Sequence, residues 1–327
     1  MAPLLGRPFI GWIISRLKSA GVDDIILSCC YLPDAIEAHF GDGRSMGVKL
    51  HYVVEVEPLG TAGAIKNARE HIRGPIFVCN GDIITGLDLI SLHESHVRNK
   101  AIATIHTREV DDPSHFGVVE TTEHGRVKRF VEKPKPGETT ARDINAGTYL
   151  LELEAIDAIP SGRAVSIERE VFPELIAGTG RVFAVSTHDY WIDVGRPETY
   201  IQAHRDILDR RLDHPLGVEI VPDVWSADGA PLPSGVTAYG PAYIGPGVSL
   251  AAGSKIEPYA VLYDGCSLEK GATVGRAIIW PGCAVGADAI VRDAILGLDV
   301  VVEPGAVVPP ESVLGSGERV RSAGVAH

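Results

Sequence analysis

The sequence predicts an α/β protein with a doubly wound, mostly parallel sheet, followed by a parallel β-helix. In the first part of the chain, short apolar runs alternate with segments whose apolar residues recur at helical spacing, as strands and helices do in α/β folds. From Ile244 onward, apolar residues recur six positions apart. A six-residue period fits neither a helix nor an ordinary strand, and it is typical of a coil with three faces.

Strands and helices are predicted in alternation up to residue 107. Pro8 suits the first turn of a helix, apolar residues recur at helical spacing as far as Leu17, and Gly21 ends the pattern. Strands are predicted at 25–29, 50–54, 76–79 and 101–107, and helices at 33–40, 61–72 and 88–98. We interpret 76–79 as a central strand of the parallel sheet, which carries Asp82 to the edge where such folds bind ligands.

The pattern changes between residues 111 and 151. Two extended segments, 117–120 and 126–131, are joined by a turn, which predicts antiparallel strands inserted into the α/β part. Helices at 153–159, 167–176 and 196–212 and a strand at 182–186 complete the predicted first domain, residues 1–212.

A linker and a hexapeptide-repeat domain are predicted to follow. Residues 213–240 are rich in Pro, Gly and Asp and show little periodicity, which indicates a linker. We predict the β-helix at 241–327, with one inward residue per face of each coil. The predicted inward residues, six apart with two steps of eleven, are Ile244, Leu250, Ile256, Leu262, Leu268, Val274, Val285, Val291, Val302 and Val308.

Composition argues against several classes of partner. The formal net charge of −13 lacks the basic footprint that nucleic acid or an anionic membrane surface requires, so we expect neither as a partner. The five cysteines show neither metal-ligand spacing nor a disulfide framework. No apolar run reaches the ~18 residues of a membrane span, and the first residues do not resemble a signal peptide. We therefore predict a cytoplasmic location.

The loop at 55–63 is a candidate binding segment, because it joins a predicted strand to a predicted helix. The backbone N–H groups of the helix N-terminus would face a ligand in the crevice. Gly60 and Gly63 would let that ligand approach the backbone closely. The alternative is a plain capping loop with Thr61 as the N-cap.

Two pairs of charged residues are further candidates. Asp82 and Asp193 each follow an apolar run and lie close to a glycine, so two carboxylates at strand ends could share a divalent ion. The alternative is that Asp82 only closes a turn.

Glu132 and Lys133 end an extended segment, and in a strand they would point to opposite faces, one to a ligand and one to the protein. A solvated charge pair is the alternative.

Seven motifs occur in a fixed order: 55–63 (EVEPLGTAG), 80–82 (NGD), 116–118 (FGV), 130–134 (FVEKP), 145–147 (NAG), 166–173 (SIEREVFP) and 191–195 (WIDVG). Together they resemble the sugar-nucleotide pyrophosphorylases, a nucleotidyltransferase family, and in particular the mannose-1-phosphate guanylyltransferases. The resemblance runs from about residue 5 to residue 212, and the hexapeptide tail is similar to the one that many members carry.

The resemblance implies a Rossmann-like nucleotidyltransferase domain, a left-handed β-helix behind it, and the reaction of GTP with mannose-1-phosphate to GDP-mannose and pyrophosphate. An adenylyl-, uridylyl- or thymidylyltransferase of the same family is an alternative. A Mg²⁺ ion and a homo-oligomer are also implied. The implied roles are base contacts from Glu55 and Gly60, sugar contacts from Gly117, Glu132, Asn145 and Gly147, a sugar-phosphate contact from Lys133, Mg²⁺ ligation by Asp82 and Asp193, and catalysis by Asp82, Lys133 and Asp193.

One family feature is missing from this chain. The family begins with a strand and a glycine-rich loop of the form G-G-x-G-T-R-L, whereas only residues 1–5 precede the matching segment here. Losing aligned donors to a developing charge lowers rates by about 10²–10³ each, so we predict low or no turnover by the chain as given. The strand would also be an interior one, so its neighbours would keep unpaired edges or a gap.

Two explanations for the missing loop remain open at this point. Either the given chain starts late, or it is a non-catalytic homologue with a regulatory or nucleotide-sugar-binding role. An acyltransferase is disfavoured, because no His between His214 and His327 could serve as the base in the repeat.

Overall fold

The structure, a computed structural model, describes residues 2–322 and divides into two compact units. Residues 10–191 form the first unit; residues 2–9 and 192–322 form the second. The helices and strands before the β-helix are β1 (Pro3–Leu4), β2 (Arg7–Pro8), α1 (Phe9–Ser19), β3 (Asp24–Cys29), α2 (Pro33–Phe40), β4 (Lys49–Val54), α3 (Gly60–Asn67), β5 (Ile76–Cys79), β6 (Ile83–Thr85), α4 (Leu89–Asn99), β7 (Ala103–Glu109), β8 (Gly117–Thr121), β9 (Val127–Glu132), β10 (Asp143–Leu151), α5 (Leu153–Asp157), α6 (Phe172–Gly178), β11 (Val182–Ser186), β12 (Trp191–Asp193), α7 (Pro197–Leu208), β13 (Val218–Val221) and β14 (Val224–Ser226).

The main sheet of the first unit is built around β10. This strand pairs antiparallel with β7, with β8 at Ile144, and with β5 over residues 148–151. β9 continues antiparallel from β8, and β11 continues parallel from β7. The sequence pattern predicts no strand at 143–151, because Asn145 and Gly147 interrupt the apolar run. A bulge between Asn145 and Tyr149 lets the strand continue past them.

β5 differs from its predicted place in the sheet. Among residues 2–322 its one ladder is antiparallel, to β10, and β3 pairs only with β4 in a separate two-stranded parallel sheet. β5 is therefore an edge strand of the described sheet, because no described strand lies between it and β3.

Most other predicted elements lie within a few residues of their expected bounds. The predicted helix at 61–72 is shorter, since α3 ends at Asn67 and a 3₁₀ turn, Arg69–His71, follows it. The predicted helix at 167–176 begins as a π-helical turn, Ile167–Val171, which leads into α6. A second 3₁₀ turn covers Arg44–Met46.

The β-helix of the second unit has three faces of parallel strands. Their bounds are β15 (Thr237–Ala238), β16 (Ala242–Ile244), β17 (Ser249–Leu250), β18 (Lys255–Ile256), β19 (Val261–Leu262), β20 (Ser267–Leu268), β21 (Thr273–Gly275), β22 (Ile278–Ile279), β23 (Ala284–Val285), β24 (Ile290–Arg292), β25 (Ile295–Leu296), β26 (Val301–Val302), β27 (Val307–Val308), β28 (Val313–Leu314) and β29 (Arg319–Val320). One sheet runs β14-β16-β19-β22-β25-β28, the second β15-β18-β21-β24-β27, and the third β17-β20-β23-β26-β29.

The predicted inward residues form the β-helix core. Nine of the ten are buried in one apolar cluster, and Leu250 packs against it partly buried. Each eleven-residue step contains one further inward residue: Ile279 lies between Val274 and Val285, and Leu296 lies between Val291 and Val302. The predicted fold class is thereby confirmed, while the left-handed sense of the coil and the bounds of the two domains and the linker stay predictions.

The stretch 213–240, predicted as a linker, contains ordered strands. β13 and β14 form an antiparallel pair, and β14 pairs parallel with β16, so it belongs to the first face of the β-helix. These strands are too short to show a period between the prolines and glycines.

Residues 2–9 pack inside the second unit. The backbone N–H of Leu5 donates to the Tyr263 hydroxyl at 2.7 Å, and the Leu5 carbonyl accepts from His214 Nε2 at 2.8 Å. The Tyr263 hydroxyl in turn lies 2.8 Å from Nε2 of the buried His204. Tyr263 of the β-helix and His214, which follows α7, thus hold this segment through its backbone, and His204 of α7 bonds to Tyr263.

Membrane-spanning helices are not found in the described part of the chain, where no helix combines the necessary length with an apolar sequence. The cytoplasmic location stays a prediction.

Candidate active site

Gly117 and Glu132 face each other across the β8–β9 hairpin. They are partners in the strand register. A Cβ at position 117 would lie 2.6 Å from the Phe130 ring and 2.8 Å from Glu132 Oε2. Glycine is therefore required, because the Glu132 carboxylate lies directly over the Gly117 backbone.

The bulge in β10 positions Asn145 and Gly147. Asn145 accepts from the Gly147 N–H at 3.0 Å and donates to the Tyr149 hydroxyl at 2.7 Å. Gly147 has a φ of +71°, and its carbonyl accepts from the Asn80 N–H at 2.9 Å. A Cβ there would lie 2.3 Å from Ile83 Cδ1. The bulge therefore holds the turn after β5 against β10.

Asp82 is exposed in the turn between β5 and β6, next to this bulge. No group of three or more His, Cys, Asp or Glu that could hold a metal occurs among residues 2–322. Mg²⁺ at nucleotide sites is commonly held by one or two carboxylates together with substrate phosphates, so Asp82 fits such a site. Asp193 lies in the second unit, where its Oδ1 accepts from the Gly195 N–H at 2.8 Å. The role of both as metal ligands stays a prediction.

Lys133 lies just beyond β9 and not within it. Its φ is +50°, and its N–H donates to the Phe116 carbonyl at 3.1 Å. The strand alternation that predicts opposite faces for Glu132 and Lys133 therefore does not apply, because the backbone turns into the left-handed region between them. The Lys133 side chain is exposed.

Glu55 stabilises the loop between β4 and α3 through two hydrogen bonds. Its Oε1 accepts from the Ser28 hydroxyl at 3.0 Å, and its Oε2 accepts from the Leu59 N–H at 2.9 Å. Gly60 has a φ of +70°, and a Cβ there would lie 2.8 Å from the Val165 carbonyl oxygen. The close approach at Gly60 is made by the chain's own backbone.

Two of the N–H groups at the N-terminus of α3 bond to the protein itself, contrary to expectation. The Val165 carbonyl accepts from the N–H groups of Ala62 and Gly63 at 2.9 and 3.2 Å. These donors are therefore not free for a ligand. Thr61 is not the N-cap either, since it lies within α3 and its hydroxyl donates to Glu168 Oε2 at 2.9 Å.

Glu168 is a functional candidate that the sequence pattern did not single out. Its Oε2 accepts from the hydroxyls of Thr61 and Ser166, the latter at 2.7 Å, and its Oε1 lies 3.4 Å from the Tyr149 hydroxyl. Tyr149 accepts from Asn145, so one hydrogen-bonded chain joins β10 to α3. The SIEREVFP motif was the available signal, but spacing alone does not show which of its carboxylates points inward.

Tyr149 is held in its protonated form. Burial, and next the nearby Glu168 carboxylate, raise the pKa of its hydroxyl far above the usual range. The hydroxyl therefore remains a donor, and it fixes the direction of the hydrogen bonds between Asn145 and Glu168.

Two aromatic side chains line the same region. Trp191 Nε1 donates to the Ala146 carbonyl at 3.0 Å. The Phe116 and Trp191 rings meet edge to face, with centroids 5.7 Å apart. In the first unit, therefore, Gly117, Glu132, Lys133, Asn145, Gly147 and Asp82 lie on adjoining strands and turns. Thr61, the residue after Gly60, bonds to the Glu168 network, whereas Glu55 bonds to Ser28 and Leu59 in the loop before α3.

Comparison with known proteins places this site in a family. A profile described as nucleotidyl transferase matches residues 1–210, and one described as GMPPB C-terminal domain matches residues 238–325. The chain belongs to the nucleotidyl transferase family. The predicted resemblance to sugar-nucleotide pyrophosphorylases is thereby confirmed.

Relatives of this nucleotidyltransferase are named for different nucleotides and sugars. A mannose-1-phosphate guanylyltransferase of Mycobacterium tuberculosis is 37% identical over 283 residues, which is 84% of this chain and 77% of the relative. A UTP–glucose-1-phosphate uridylyltransferase of Synechocystis is 31% identical over 328 residues, 94% of this chain and 84% of the relative. The crystal structure of HddC from Yersinia pseudotuberculosis complexed with GMP-PN is 33% identical, covers 63% of this chain and 88% of its own, and has a TM-score of 0.55.

Proposed function

We propose that this nucleotidyltransferase transfers a guanylyl group from GTP to mannose-1-phosphate, giving GDP-mannose and pyrophosphate. The observation that supports the proposal is the cluster of hydrogen-bond acceptors on β8, β9 and β10, where Glu132, Asn145 and the Glu168 network suit a hydroxylated sugar. The choice of base and sugar follows the guanylyltransferase of M. tuberculosis.

The chemistry would be alignment and charge stabilisation. An oxygen of the sugar phosphate attacks the α-phosphorus of GTP, and pyrophosphate leaves in line. Glu132 accepts sugar hydroxyls, so a sugar that lacks one leaves the half-buried Glu132 carboxylate without that partner. Lys133, just beyond β9, reduces the repulsion between the two phosphate groups. Bound Mg²⁺ would neutralise phosphate charge, and we propose Asp82 and Asp193 as its ligands, the pair resting on the sequence resemblance.

We further propose that turnover by this chain is low. What supports this is the open edge of β5, which immediately precedes the Asn80–Asp82 turn. A strand edge without a partner leaves that turn less constrained than it would be in a closed sheet.

The test combines turnover with binding. Pyrophosphate release is measured with Mg²⁺ and each of GTP, UTP, ATP and dTTP, with mannose-1-phosphate or glucose-1-phosphate. We expect GTP with mannose-1-phosphate to be fastest, at a rate below about 1 s⁻¹. A faster rate would contradict only the low-turnover proposal.

Calorimetric titration with GDP-mannose measures binding to the candidate site independently of turnover. Glu132→Gln should weaken GDP-mannose binding about tenfold or more, because a hydrogen bond to a charged acceptor contributes about 1.5–3 kcal/mol. Glu120→Gln, on the same hairpin, is the matched control and should bind like the parent protein. If neither Mg-GTP nor GDP-mannose binds, the proposed function is wrong.

A uridylyltransferase is the second candidate, because the Synechocystis relative covers 94% of this chain. Preferred turnover of UTP with glucose-1-phosphate would establish it. Binding of GDP-mannose without any turnover would instead favour a non-catalytic, nucleotide-sugar-binding role.

A further inference from the structure

Two cysteines, Cys266 and Cys283, occupy one column of the β-helix core. They are the only cysteines of the sequence after residue 192, and they lie one coil apart, immediately before β20 and β23. Val248 holds the same place before β17, and Val300 holds it before β26. The column therefore runs from Val248 through the two cysteines to Val300, over four successive coils.

The strand register places the two cysteines side by side. β20 and β23 pair in parallel with Ser267 opposite Ala284, and the Ser267 N–H donates to the Cys283 carbonyl at 2.9 Å. Neighbouring strands lie about 4.8 Å apart, and the Cα atoms of a disulfide usually lie roughly 4.4–6.8 Å apart. The backbone therefore already has a spacing that a disulfide can bridge.

Both thiols lie inside the core, fully buried in its apolar cluster. Cys266 Sγ lies 3.2 Å from the Trp280 carbonyl oxygen, which belongs to the coil that carries Cys283. Cys283 Sγ lies 2.9 Å from the Gly297 carbonyl oxygen. Because a thiol is a weak donor, a bond between the two sulfurs would replace only weak hydrogen bonds.

The two thiols differ in how readily they ionise. A hydrogen bond from the Cys266 thiol lowers the pKa of the Cys283 thiol below its usual value. The same hydrogen bond, followed by burial, raises the pKa of Cys266. Since the thiolate is the reactive form of cysteine, Cys283 is the nucleophile of the pair and Cys266 the partner that follows.

The backbone that covers the column carries no side chain at the positions before the cysteines. Gly265 and Gly282 occupy these positions, and both are exposed, with φ values of +67° and +77°. A Cβ on Gly265 would meet nothing within 4 Å. A small oxidant therefore has to pass only an exposed turn, and such turns open locally more readily than packed strands.

We infer that Cys266 and Cys283 form a reversible oxidation site, at which hydrogen peroxide joins two coils of the β-helix through a disulfide. The Cys283 thiolate attacks one peroxide oxygen, the O–O bond breaks, and the hydroxide that leaves takes up a proton to form water. The Cys266 sulfur then attacks the sulfur of the Cys283 sulfenic acid, loses its proton and displaces a second water. Two thiols and one peroxide thus give one disulfide and two waters.

The disulfide would stabilise the second unit. It closes a loop of one coil, 266–283, and such a link removes conformational freedom from the unfolded chain. The inference does not depend on the proposed function, because no residue assigned to nucleotide or sugar takes part and the test contains neither ligand.

The test treats the folded full chain with hydrogen peroxide, blocks the remaining thiols, and maps tryptic peptides without reduction. Trypsin separates the two cysteines into peptides 256–270 and 277–292. We expect these peptides to be recovered joined and to separate when dithiothreitol is added. Thermal unfolding of the oxidised chain, followed by circular dichroism, should shift upward by about 5 °C.

A pair of variants tests the assignment. Cys283→Val copies the neighbouring Val300 of the column and should abolish both the joined peptides and the thermal shift. Cys30→Val, at the exposed cysteine of the first unit, is the control and should change neither. If Cys283→Val does not fold, the peptide map of the parent protein still decides.

Three outcomes would overturn the inference. Oxidation of Cys30 while peptides 256–270 and 277–292 stay separate would show that peroxide does not react in the column. Joined peptides that form only in urea would show that the folded coils hold the sulfurs apart. Sulfinic acid at Cys283 without the link would show that Cys266 does not reach it.

Discussion

Glu168 joins two parts of the candidate pocket through its contacts with Thr61, Ser166 and Tyr149. It is only partly buried, so a ligand could reach it. Because its two oxygens accept from donors on α3, β10 and the π-helical turn, it orients side chains that no local pattern relates to one another.

We predict that Glu168→Gln weakens GDP-mannose binding about tenfold, because the amide cannot accept at both oxygens and hydrogen bonds to charged groups are the stronger ones. Glu174→Gln, at an exposed position of α6, is the control and should change the affinity less than twofold. Calorimetric titration measures both. Equal losses in the two variants would remove Glu168 from the site.

His204 predicts a pH dependence of stability. Burial lowers its pKa from 6.5 to about 4. The unfolded chain therefore binds a proton more readily than the folded one, and the contribution to stability, full above pH 6.5, is lost as the pH falls towards 4. The full contribution is roughly 3 kcal/mol.

Urea unfolding between pH 7.5 and 4.5 measures this effect. His204→Gln should flatten the fall in unfolding free energy at low pH, whereas His93→Gln, at an exposed position of α4, should not. An unchanged pH profile in His204→Gln would contradict the prediction.

At the scale of elements, β10 depends on its bulge. Gly147 combines a positive φ with the side chains of Ile83 and Asn80, which leave no room for a Cβ. The bulge is what allows β10 to pair with β7, β8 and β5 and still hold the turn that carries Asp82.

We predict that Gly147→Ala lowers the free energy of unfolding by about 1–3 kcal/mol, through backbone strain and the clash with Ile83. Gly178→Ala is the control, because nothing lies within 4 Å of a Cβ there and its φ is not positive. Urea unfolding followed by circular dichroism measures both variants. A loss in Gly147→Ala no larger than in the control would show that the turn adapts without cost.

At the scale of the whole molecule, the charge decides which partners are attracted over long range. The formal net charge is −13 and the isoelectric point is about 5.4. Repulsion from the phosphates of nucleic acid therefore dominates at neutral pH, while a local contact such as Lys133 can still bind one phosphate group.

We predict no binding of a labelled 20-base-pair duplex at about 50 mM salt, where nonspecific binders bind most tightly. Fluorescence anisotropy measures this at pH 7.5. Saturable binding with a Kd below about 100 μM would contradict the prediction and indicate a basic patch that the total charge conceals.

Periodic segments were predictable because their structure repeats within a few residues. Ile244 and Val308 stand at opposite ends of the predicted register, and both are buried in the β-helix core. Asp88 was likewise predictable as the start of a helix, and its side chain accepts from the N–H groups of Ile90 and Ser91 at the N-terminus of α4.

The strand β10 and the Glu168 network could not be predicted in the same way. Asn145 and Gly147 look like a turn in any short window, and only the neighbours β7 and β8 make them a bulge in a strand. Val165 is separated from Gly60 by about a hundred residues, so no local pattern indicates that its carbonyl occupies the N-terminus of α3.

By itself the sequence determined the alternation of strands and helices, the hexapeptide coil and the family motifs, because each depends on a pattern of residues that are near one another in the sequence. The tertiary structure alone decided that the predicted gap lies between β3 and β5, that β10 continues through a bulge, and that Glu168 joins the site. These features depend on which segments pair although they are far apart in the sequence. Only the folded chain determines which backbone N–H and C=O groups find a partner.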